Sequence, residues 1–284
     1  MMNLPFTPDY SGKVAVVTGG AGVLCKEFCK ALALCGAKVA ILNRTLSKAE
    51  DVAEEIKALG GEACGFQVNV VDKASVKAAH EAVLAKYGKC DILINGAGGN
   101  NPAATADDEF FSMDTLKAED KKSFFDLTEE GFSNVFSLNI MGTLIPTQEF
   151  ALDMVENNSG VILNISSMNA FTPLTKIPAY SGAKAAISNF TQWLAVHFSR
   201  TGIRVNAIAP GFFSTKQNAA LLWNADGTPT ARTGKILAAT PMGRFGKSEE
   251  LLGALLYLVN DEAASFVTGV VIPVDGGFSA YSGV

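Results

Sequence analysis

The sequence predicts an α/β fold in which a doubly wound parallel sheet carries helices on both faces. Short apolar runs alternate with segments of helical period along most of the chain, which is the pattern of repeated strand–helix–strand units. The first apolar run ends in a cluster of glycines, as a tight strand-to-helix turn requires. No linker, repeat or low-complexity segment divides the 284 residues, so we predict one domain over residues 1–284.

The first half of the chain alternates without interruption. In chain order, the pattern predicts a strand at 14–18, a helix at 22–36, a strand at 38–42, a helix at 46–59, a strand at 63–68, a helix at 73–87 and a strand at 91–95. Such alternation is typical of a parallel sheet, because each parallel strand needs a crossover connection before the next one.

Residues 99–130 interrupt the alternation. Of the 24 residues from 107 to 130, 12 are charged, which predicts a solvated surface insertion. Its first residues follow a strand end, where loops often contact ligands. The pattern then predicts a helix at 129–156, a strand at 160–165, a helix that ends near 200, a strand at 204–208, an irregular substrate loop at 211–235, a helix at 248–260 and a strand at 270–274. We interpret Trp193 and the Phe-rich segments as core, and His80 and His197 as structural.

Composition excludes several classes of function. The chain is 48% hydrophobic and 18% charged, and its net charge of −5 comes without a basic run, so nucleic-acid binding is not expected. No apolar run approaches the roughly 18 residues of a membrane span, and the N-terminal residues lack a signal-peptide pattern. The five cysteines and two histidines show no metal-ligand spacing. We therefore expect no metal site, and buried thiols in a reducing cytoplasm.

The glycines after the first strand indicate a nucleotide site. The segment Thr18-Gly19-Gly20-Ala21-Gly22 lies between the first predicted strand and the first predicted helix. Glycines there let the backbone approach a pyrophosphate, and the helix N-terminus supplies amide donors and a partial positive charge. A glycine cluster can also mark a tight turn only, but its place at the head of a strand–helix–strand series favours nucleotide binding.

The end of the second predicted strand bears on the choice of cofactor. It reads Asn43-Arg44 and has no acid. An acid at this point would bind the ribose hydroxyls of NAD, whereas a neutral residue followed by Arg can accept a 2′-phosphate. The pattern favours NADP(H), although Arg44 could equally be a solvated surface charge.

Tyr180 and Lys184 lie four residues apart and therefore on the same side of one predicted helix. A neighbouring ammonium lowers the pKa of a tyrosine from its ordinary value of about 10. Tyr180 is thus a candidate proton donor and acceptor near neutral pH. Such pairs are also common on solvated helix faces, so the rest of the sequence must supply the site.

Taken in order, the motifs of the chain resemble the short-chain dehydrogenase/reductase family. The resemblance covers residues 12–277 and consists of Thr18-Gly19, Asn95-Gly96-Ala97-Gly98, Ser167, Tyr180-x-x-x-Lys184 and Pro210-Gly211. It implies a Rossmann-type fold, the nicotinamide cofactor NAD(P)(H) and a homotetramer. One departure is that Val23 and Cys25 stand where the family more often has glycine.

The same resemblance implies four catalytic residues, Asn139, Ser167, Tyr180 and Lys184. Ser167, which lies 13 residues before Tyr180, would hold the substrate oxygen through a hydrogen bond. Tyr180 would give its proton to a carbonyl as hydride arrives, or take it back in the oxidative direction. Lys184 would lower the pKa of Tyr180 and bind the nicotinamide ribose. Asn139 would hold a water that links Lys184 to solvent, or it only caps or kinks a buried helix.

Candidate cofactor-binding residues follow from the glycine turn and from the resemblance. They are Gly19, Gly20, Gly22, Val23, Leu24, Asn43, Arg44, Asn69, Val70, Asn95, Ala97, Gly98, Tyr180, Lys184, Pro210, Gly211 and Thr215. Asn69 stands where the family commonly has an acid that contacts the adenine amino group. Thr215 resembles the residue that holds the nicotinamide carboxamide.

Three loops at predicted strand ends are rich in amides and hydroxyls. They supply the candidate substrate-binding residues Asn100, Asn101, Asn169, Lys216 and Asn218. Amides, hydroxyls and a lysine suit a polyhydroxylated, carboxylated ligand better than a steroid or an acyl chain. The alternative is that each polar side chain only satisfies its own loop backbone.

The chain also resembles the branch of the family that interconverts D-fructuronate and D-mannonate, through Val23-Leu24-Cys25 and residues 275–284. This resemblance implies D-mannonate oxidoreductase activity on a sugar acid. Gluconate or another polyol is an alternative substrate, as is a 3-oxoacyl thioester, which the polar loops disfavour. A non-catalytic, nicotinamide-binding redox sensor is an alternative of another class, which the intact Ser167, Tyr180 and Lys184 disfavour.

Overall fold

The strands form one seven-stranded parallel sheet. The structure, a computed structural model, describes residues 4–214 and 222–283. In chain order the strands are β1 (Val14–Thr18), β2 (Lys38–Asn43), β3 (Glu62–Gln67), β4 (Ile92–Asn95), β5 (Gly160–Ile165), β6 (Ile203–Pro210) and β7 (Val271–Val274). Their order across the sheet is β3-β2-β1-β4-β5-β6-β7, and every neighbouring pair is parallel. The predicted doubly wound parallel sheet is confirmed.

Helices cover both faces of this sheet. Those of the described residues are α1 (Val23–Leu34), α2 (Leu46–Ala58), α3 (Lys73–Tyr87), α4 (Met113–Lys117), α5 (Glu129–Phe136), α6 (Gly142–Asn157), α7 (Pro178–His197), α8 (Ala231–Ala238) and α9 (Leu252–Val259). The bounds of β1, α3 and β5 are those predicted, and the other predicted bounds differ by a few residues. Pro178 opens α7, where the missing N–H of proline costs no helical hydrogen bond.

The strand order reverses at β1, and this reversal determines where a ligand crevice forms. β1 pairs with β2 on one side, with Val14 opposite Lys38, and with β4 on the other, with Ala15 opposite Ile92. Strands β2 and β3 therefore extend the sheet one way, and β4 to β7 extend it the other way. In sheets of this kind the ligand crevice opens at the carboxyl ends of the strands, where the order reverses.

Two hydrophobic layers hold the sheet between its helices. Val17 of β1 packs in the same layer as Phe28 of α1, whereas its neighbour Val16 packs in the opposite layer with Phe150 of α6. Alternate strand residues point to opposite faces, and here both faces are covered. That arrangement explains why β1 is apolar throughout instead of alternating.

The predicted helix at 129–156 is present, but it contains a π-helical turn. α5 ends at Phe136, the π-helical turn spans Ser137–Met141, and α6 begins at Gly142, so helical structure continues from 129 to 157. Pro146 lies inside α6, where its missing N–H leaves one carbonyl of the preceding turn without its usual donor. The sequence pattern predicted the helix but not its widened turn.

The two stretches predicted as irregular contain short helices. Residues 99–130 include α4, and α8 begins inside the stretch at 211–235. Thr230 starts α8 with a side chain that accepts the N–H of Thr233, a local cap that favours a helix. The two stretches also meet, because Lys235 Nζ lies 2.7 Å from Glu109 Oε1.

Several aromatic residues interpreted as core are exposed instead. Trp193 of α7 is 56% exposed, and Phe110 in the insertion is 81% exposed. His80 of α3, by contrast, is buried, with its Nδ1 3.1 Å from Glu149 Oε1 and its Nε2 3.0 Å from Asp153 Oδ2 of α6. Within 4–214 and 222–283, no helix is long and apolar enough to cross a membrane.

Candidate active site

The glycine turn after β1 makes a close backbone contact with the turn after β4. Gly19 has a φ of +62°, and a Cβ there would lie 2.9 Å from the Cα of Ala97. The Thr18 hydroxyl accepts the N–H groups of Gly96, at 3.1 Å, and of Ala97, at 3.3 Å. Gly22, the N-cap residue of α1, has no side chain that could bond the first-turn amides. Those amides are therefore available to an anionic ligand.

Cys25, where the family more often has glycine, fits because a glycine faces it. A Cβ at Gly96 would overlap the Sγ of Cys25, which is buried beneath the turn after β4. Burial raises the pKa of the Cys25 thiol to about 12. The departure from the family pattern thus fills space that Gly96 leaves, and it does not open the turn.

A cleft of about 580 Å³ lies at the point where the strand order reverses. Its lining combines the glycine turn, the ends of β2, β3 and β4, and the π-helical turn: Gly19, Gly22, Leu42, Asn43, Arg44, Val68, Asn69, Val70, Val71, Gly96, Ala97, Gly98, Asn134, Ser137 and Leu138. Eight of the predicted cofactor residues therefore share one cleft. Among the described residues of this lining, the only charged side chain is the basic Arg44, so an anionic ligand meets no repulsion from them.

Other predicted cofactor residues lie outside this lining. Gly20 packs against the interior, because a Cβ there would lie 2.9 Å from the side chain of Ile41. The Asn95 amide is used inside the sheet, where its Nδ2 donates to Asn164 Oδ1 at 2.9 Å. Pro210 is the last residue of β6, and Gly211 follows it next to Asp275. Val23 and Leu24 open α1 directly after the turn. Thr215 lies outside the described residues.

Three polar residues meet at the ends of β5 and α7. Ser167 is buried just after β5, and Tyr180 and Lys184 lie one turn apart near the start of α7. Lys184 is 4% exposed, its Nζ donates to the Ile165 carbonyl at 2.7 Å, and it lies 5.6 Å from the centroid of the Tyr180 ring. The predicted Ser–Tyr–Lys group is therefore assembled in space.

The pKa values of this group differ from the expectation. Burial raises the pKa of Tyr180 to about 12, opposed in part by a hydrogen bond with Ser167. Burial also lowers the pKa of Lys184 to about 8. The expectation that the Lys184 ammonium lowers the pKa of Tyr180 is thus wrong for this structure. Burial disfavours both charged forms, and the ammonium is bonded to a backbone carbonyl.

Asn139 lies in the middle of the π-helical turn and is completely buried. Its Nδ2 donates to the carbonyls of Gly99 and Val135, each at 2.8 Å, while its Oδ1 has no hydrogen-bond partner among the described residues. A Cβ at Gly98 would lie 2.6 Å from that Oδ1 and 3.3 Å from the Nζ of Lys184. Asn139 and Lys184 therefore flank the same short piece of backbone and leave little room for a side chain at Gly98.

The predicted substrate residues have different surroundings. Asn100 donates to Thr105 Oγ1 at 2.9 Å, and Asn101 accepts the N–H of Ala103 at 2.9 Å, so both satisfy their own loop. Asn169 is 4% exposed, and its Oδ1 has no partner in the part of the chain that the structure describes. Lys216 and Asn218 lie outside the described residues.

A second cavity, of about 410 Å³, lies at the ends of β6 and β7. Arg244 is in its lining, where two nitrogens bond the carboxylate of Glu250 at 2.8 and 2.6 Å. This arginine is not among the site residues predicted from the sequence. Apart from Met242, Gly246 and Glu250, the lining of the cavity comes from segments about 30 residues away on either side, so no local motif marks the site.

These residues fit a dinucleotide, and the fold and cleft together define a class of protein. The close approach at Gly19, the amides at the start of α1 and the absence of acids from the described cleft lining suit a pyrophosphate. A tyrosine, a serine and a lysine next to such a cleft are the groups needed to move a proton on an alcohol or carbonyl oxygen. The class is a dinucleotide-dependent oxidoreductase.

Comparison with known proteins identifies the family. The short chain dehydrogenase family model matches residues 13–224, and the chain belongs to this family. The protein is therefore an oxidoreductase that acts on alcohol groups with NAD(P). An uncharacterized oxidoreductase of Haemophilus influenzae is 56% identical over 283 residues, which are 100% of this chain and 99% of the relative.

Solved structures agree with this assignment. A candidate D-mannonate oxidoreductase from Haemophilus influenzae, with bound NAD, has a TM-score of 0.94 and 56% identity over 98% of both chains. A gluconate 5-dehydrogenase from Burkholderia cenocepacia, in complex with NADP and tartrate, has a TM-score of 0.81 and 28% identity, and the alignment covers 96% of this chain and 97% of the other.

Proposed function

We propose that the protein transfers a hydride between NAD(P) and a sugar acid, with D-fructuronate and D-mannonate as the substrate pair. The observation that carries the proposal is the 56% identity, over 98% of both chains, to the candidate D-mannonate oxidoreductase. Asn169 adds support, because a buried amide oxygen without a partner beside Ser167 suits the hydroxyl of a polyol.

Each residue of the Ser–Tyr–Lys group has a proposed role. The nicotinamide, when bound, supplies or accepts the hydride. The Ser167 hydroxyl donates a hydrogen bond to the substrate oxygen and holds it next to Tyr180. Tyr180, protonated at neutral pH because burial raises its pKa to about 12, donates its proton to that oxygen when a carbonyl is reduced. Lys184 holds the nicotinamide ribose, and Asn139 fixes the backbone beside it.

The proposal is tested by following nicotinamide absorbance with a panel of ketouronates and aldonates. We expect turnover with D-fructuronate and D-mannonate, and a much lower kcat/KM with gluconate or with a 3-oxoacyl thioester. A higher kcat/KM for gluconate would move the assignment to the gluconate 5-dehydrogenase type, and no turnover with any sugar acid would overturn it.

Tyr180→Phe separates an enzyme from a redox sensor. The variant keeps the ring and loses only the hydroxyl, so we expect turnover to fall by about a hundredfold or more while cofactor binding stays unchanged. Tyr87→Phe, a buried tyrosine of α3, is the matched control and should retain activity. A sensor would bind the cofactor equally well in all forms, and none of them would turn over sugar acids.

The cofactor preference is tested at Arg44. This residue is exposed at the rim of the cleft, and no carboxylate of the described residues lies within 4 Å of it. Its guanidinium can therefore bind the 2′-phosphate of NADP(H), as the sequence pattern favours. We expect Arg44→Ala to weaken NADP(H) binding by at least tenfold and to leave NAD(H) binding within about twofold. Equal losses for both cofactors would refute this role.

The carboxylate of the sugar acid is assigned to Lys216 on the sequence evidence alone. We expect Lys216→Ala to raise the KM for a carboxylated sugar with little change in kcat, as loss of a uniform binding contact does. Lys235→Ala, in nearby α8, removes a lysine that pairs with Glu109 and is the control. An unchanged KM in Lys216→Ala would remove this lysine from the site.

The protein is further proposed to be a homo-oligomer, which the family implies as a tetramer. The outer face of α6 and α7 carries an apolar groove that includes Leu152, Val155 and Trp193, and Val196 on α7 is 76% exposed. A second copy of this face would cover it. We expect Val196→Asp to lower the mass measured by light scattering, while Leu84→Asp on α3 leaves it unchanged.

The five cysteines are free thiols, which supports a cytoplasmic location.

A further inference from the structure

A ladder of side-chain hydrogen bonds runs along the buried face of the helix that carries Asn139. Asn139, Thr143 and Thr147 are spaced by four residues, and each is at most 2% exposed. Each side chain donates to the carbonyl four residues earlier: Asn139 to Val135 at 2.8 Å, Thr143 to Asn139 at 2.8 Å, and Thr147 to Thr143 at 2.7 Å. The three bonds follow one another along one face of the helix, each one turn after the last.

These bonds explain where the helix widens. A side chain that donates to the carbonyl four residues earlier competes with the backbone N–H that normally bonds there, and it loosens and bends the helix. The π-helical turn Ser137–Met141 lies between the first and third acceptors of the ladder, which are the carbonyls of Val135 and Thr143. Pro146 removes one further backbone donor in the next turn. The threonine hydroxyls thus stabilise a widened turn that the backbone alone would not keep.

The ladder continues off the helix and across the sheet. The Thr147 hydroxyl accepts the Nδ2 of Asn95 at 2.9 Å, and the same Nδ2 donates to Asn164 Oδ1 at 2.9 Å. Asn164 Nδ2 in turn donates to the Thr191 hydroxyl at 2.9 Å. Thr191 lies on α7, seven residues after Lys184. One buried chain of hydrogen bonds therefore joins the helix of Asn139 to the helix of Tyr180.

The first member of the ladder touches the active-site backbone. Asn139 Nδ2 also donates to the Gly99 carbonyl at 2.8 Å, and a Cβ at Gly98 would lie 2.6 Å from Asn139 Oδ1 and 3.3 Å from the Nζ of Lys184. A small rotation of the π-helical turn would therefore move either the Gly98–Gly99 backbone or the Lys184 side chain. Displacements of about 1 Å in such positions can cost about a hundredfold in rate.

We infer that Thr143 and Thr147 are positioning residues, whose hydroxyls hold the π-helical turn so that Asn139 fixes the Gly98–Gly99 backbone beside Lys184. This inference rests on the proposed catalytic role of Lys184 and its neighbours. Neither threonine is in the lining of the cleft described above, and both act only through Asn139.

The test compares Thr143→Val with Thr143→Ser. Valine keeps the shape of threonine and removes the hydroxyl, whereas serine keeps the hydroxyl and removes the methyl. Thr240→Val is the control, because Thr240 is also buried and makes the same type of bond, to the Ile236 carbonyl at 2.7 Å, outside the ladder. Amide hydrogen exchange of the cofactor-free protein and steady-state kinetics are measured for all variants, together with urea unfolding.

We expect Thr143→Val to speed exchange of the amides at 137–142 by about tenfold or more, with the central strands unchanged. Its kcat should fall by at least about tenfold. Thr143→Ser should restore both the local protection and kcat, and Thr240→Val should leave both unchanged.

Two results would overturn the inference. One is equal exchange at 137–142 in Thr143→Val and Thr143→Ser. The other is a loss of kcat that merely follows the fraction of unfolded protein in urea, because a purely structural threonine would show it. Failure of the proposed substrate is a different result: the wild-type protein would show no turnover with sugar acids, while the exchange comparison would still decide whether the hydroxyl holds the turn.

Discussion

Lys184 is a buried cation without a carboxylate partner in the described structure, so the free-energy cost of burying its charge can be measured. The side chain is 4% exposed, and its one hydrogen bond is to the Ile165 carbonyl. Burial lowers its pKa from 10.5 to about 8. A shift of this size corresponds to about 3 kcal/mol of unfavourable free energy for the protonated, folded state. Lys184→Met removes the charge and keeps most of the apolar stem.

The sign of the pH effect follows from the direction of the shift. Between pH 8 and 10.5 the unfolded chain, with an ordinary lysine pKa, binds more protons at this site than the folded chain does. The contribution of Lys184 to the free energy of unfolding therefore rises with pH over that window, by about 3 kcal/mol in total. The methionine variant lacks this rise. At pH 7, Lys184→Met gains stability because the unfavourable buried charge is gone. This gain is offset by about 1–3 kcal/mol, because the Ile165 carbonyl loses its hydrogen-bond donor.

Urea unfolding at pH 7 and pH 10 measures the effect directly. We expect wild type to gain about 2–3 kcal/mol relative to Lys184→Met between these two pH values, while the variant has lost its activity. Lys89→Met is the control, because Lys89 is a surface lysine that pairs with Glu156, and its pH dependence should match that of wild type. Parallel pH dependences for wild type and Lys184→Met would refute the argument that burial of the Lys184 charge is unfavourable.

Two further predictions concern close packing and a buried, hydrogen-bonded histidine. Gly98→Ala should reduce kcat by about tenfold or more, because its Cβ would lie 2.6 Å from Asn139 Oδ1, whereas Gly99→Ala, whose nearest contact would be at 3.7 Å, should change kcat little. His80→Ala should lower the free energy of unfolding by about 1–3 kcal/mol, because the buried Asp153 and the half-buried Glu149 of α6 lose their hydrogen-bond partner. The exposed His197 provides the control variant, His197→Ala, and equal urea midpoints for the two histidine variants would contradict the prediction.

The sequence predicts the features that are local in the chain. β1 is an apolar run because both of its faces are covered, and such a run is visible without a structure. Tyr180 and Lys184 are one turn apart on a single helix, so their spacing alone places them together. The family resemblance then supplies Ser167, which lies on another element.

Features that depend on contacts distant in sequence could not be predicted in the same way. The partners of His80 lie 69 and 73 residues away, and neither spacing nor composition links them. The widened turn at Asn139 depends on threonine hydroxyls, which look like ordinary polar residues in the sequence. The sequence predicts a lowered pKa for Tyr180, because it shows that Lys184 is a neighbour. It does not show that Tyr180 is buried, and burial raises the pKa.

Burial of the Tyr180–Lys184 pair also bears on the direction of proton transfer. The ordinary pKa values of tyrosine and lysine are close to each other, but here the value for Lys184 is about 8 and that for Tyr180 about 12. Between these two values both side chains are neutral, and below pH 8 the tyrosine is still protonated. In the proposed mechanism, a proton on the Tyr180 oxygen is the state that carbonyl reduction needs. Alcohol oxidation by the same group would need the phenolate, which burial of Tyr180 disfavours.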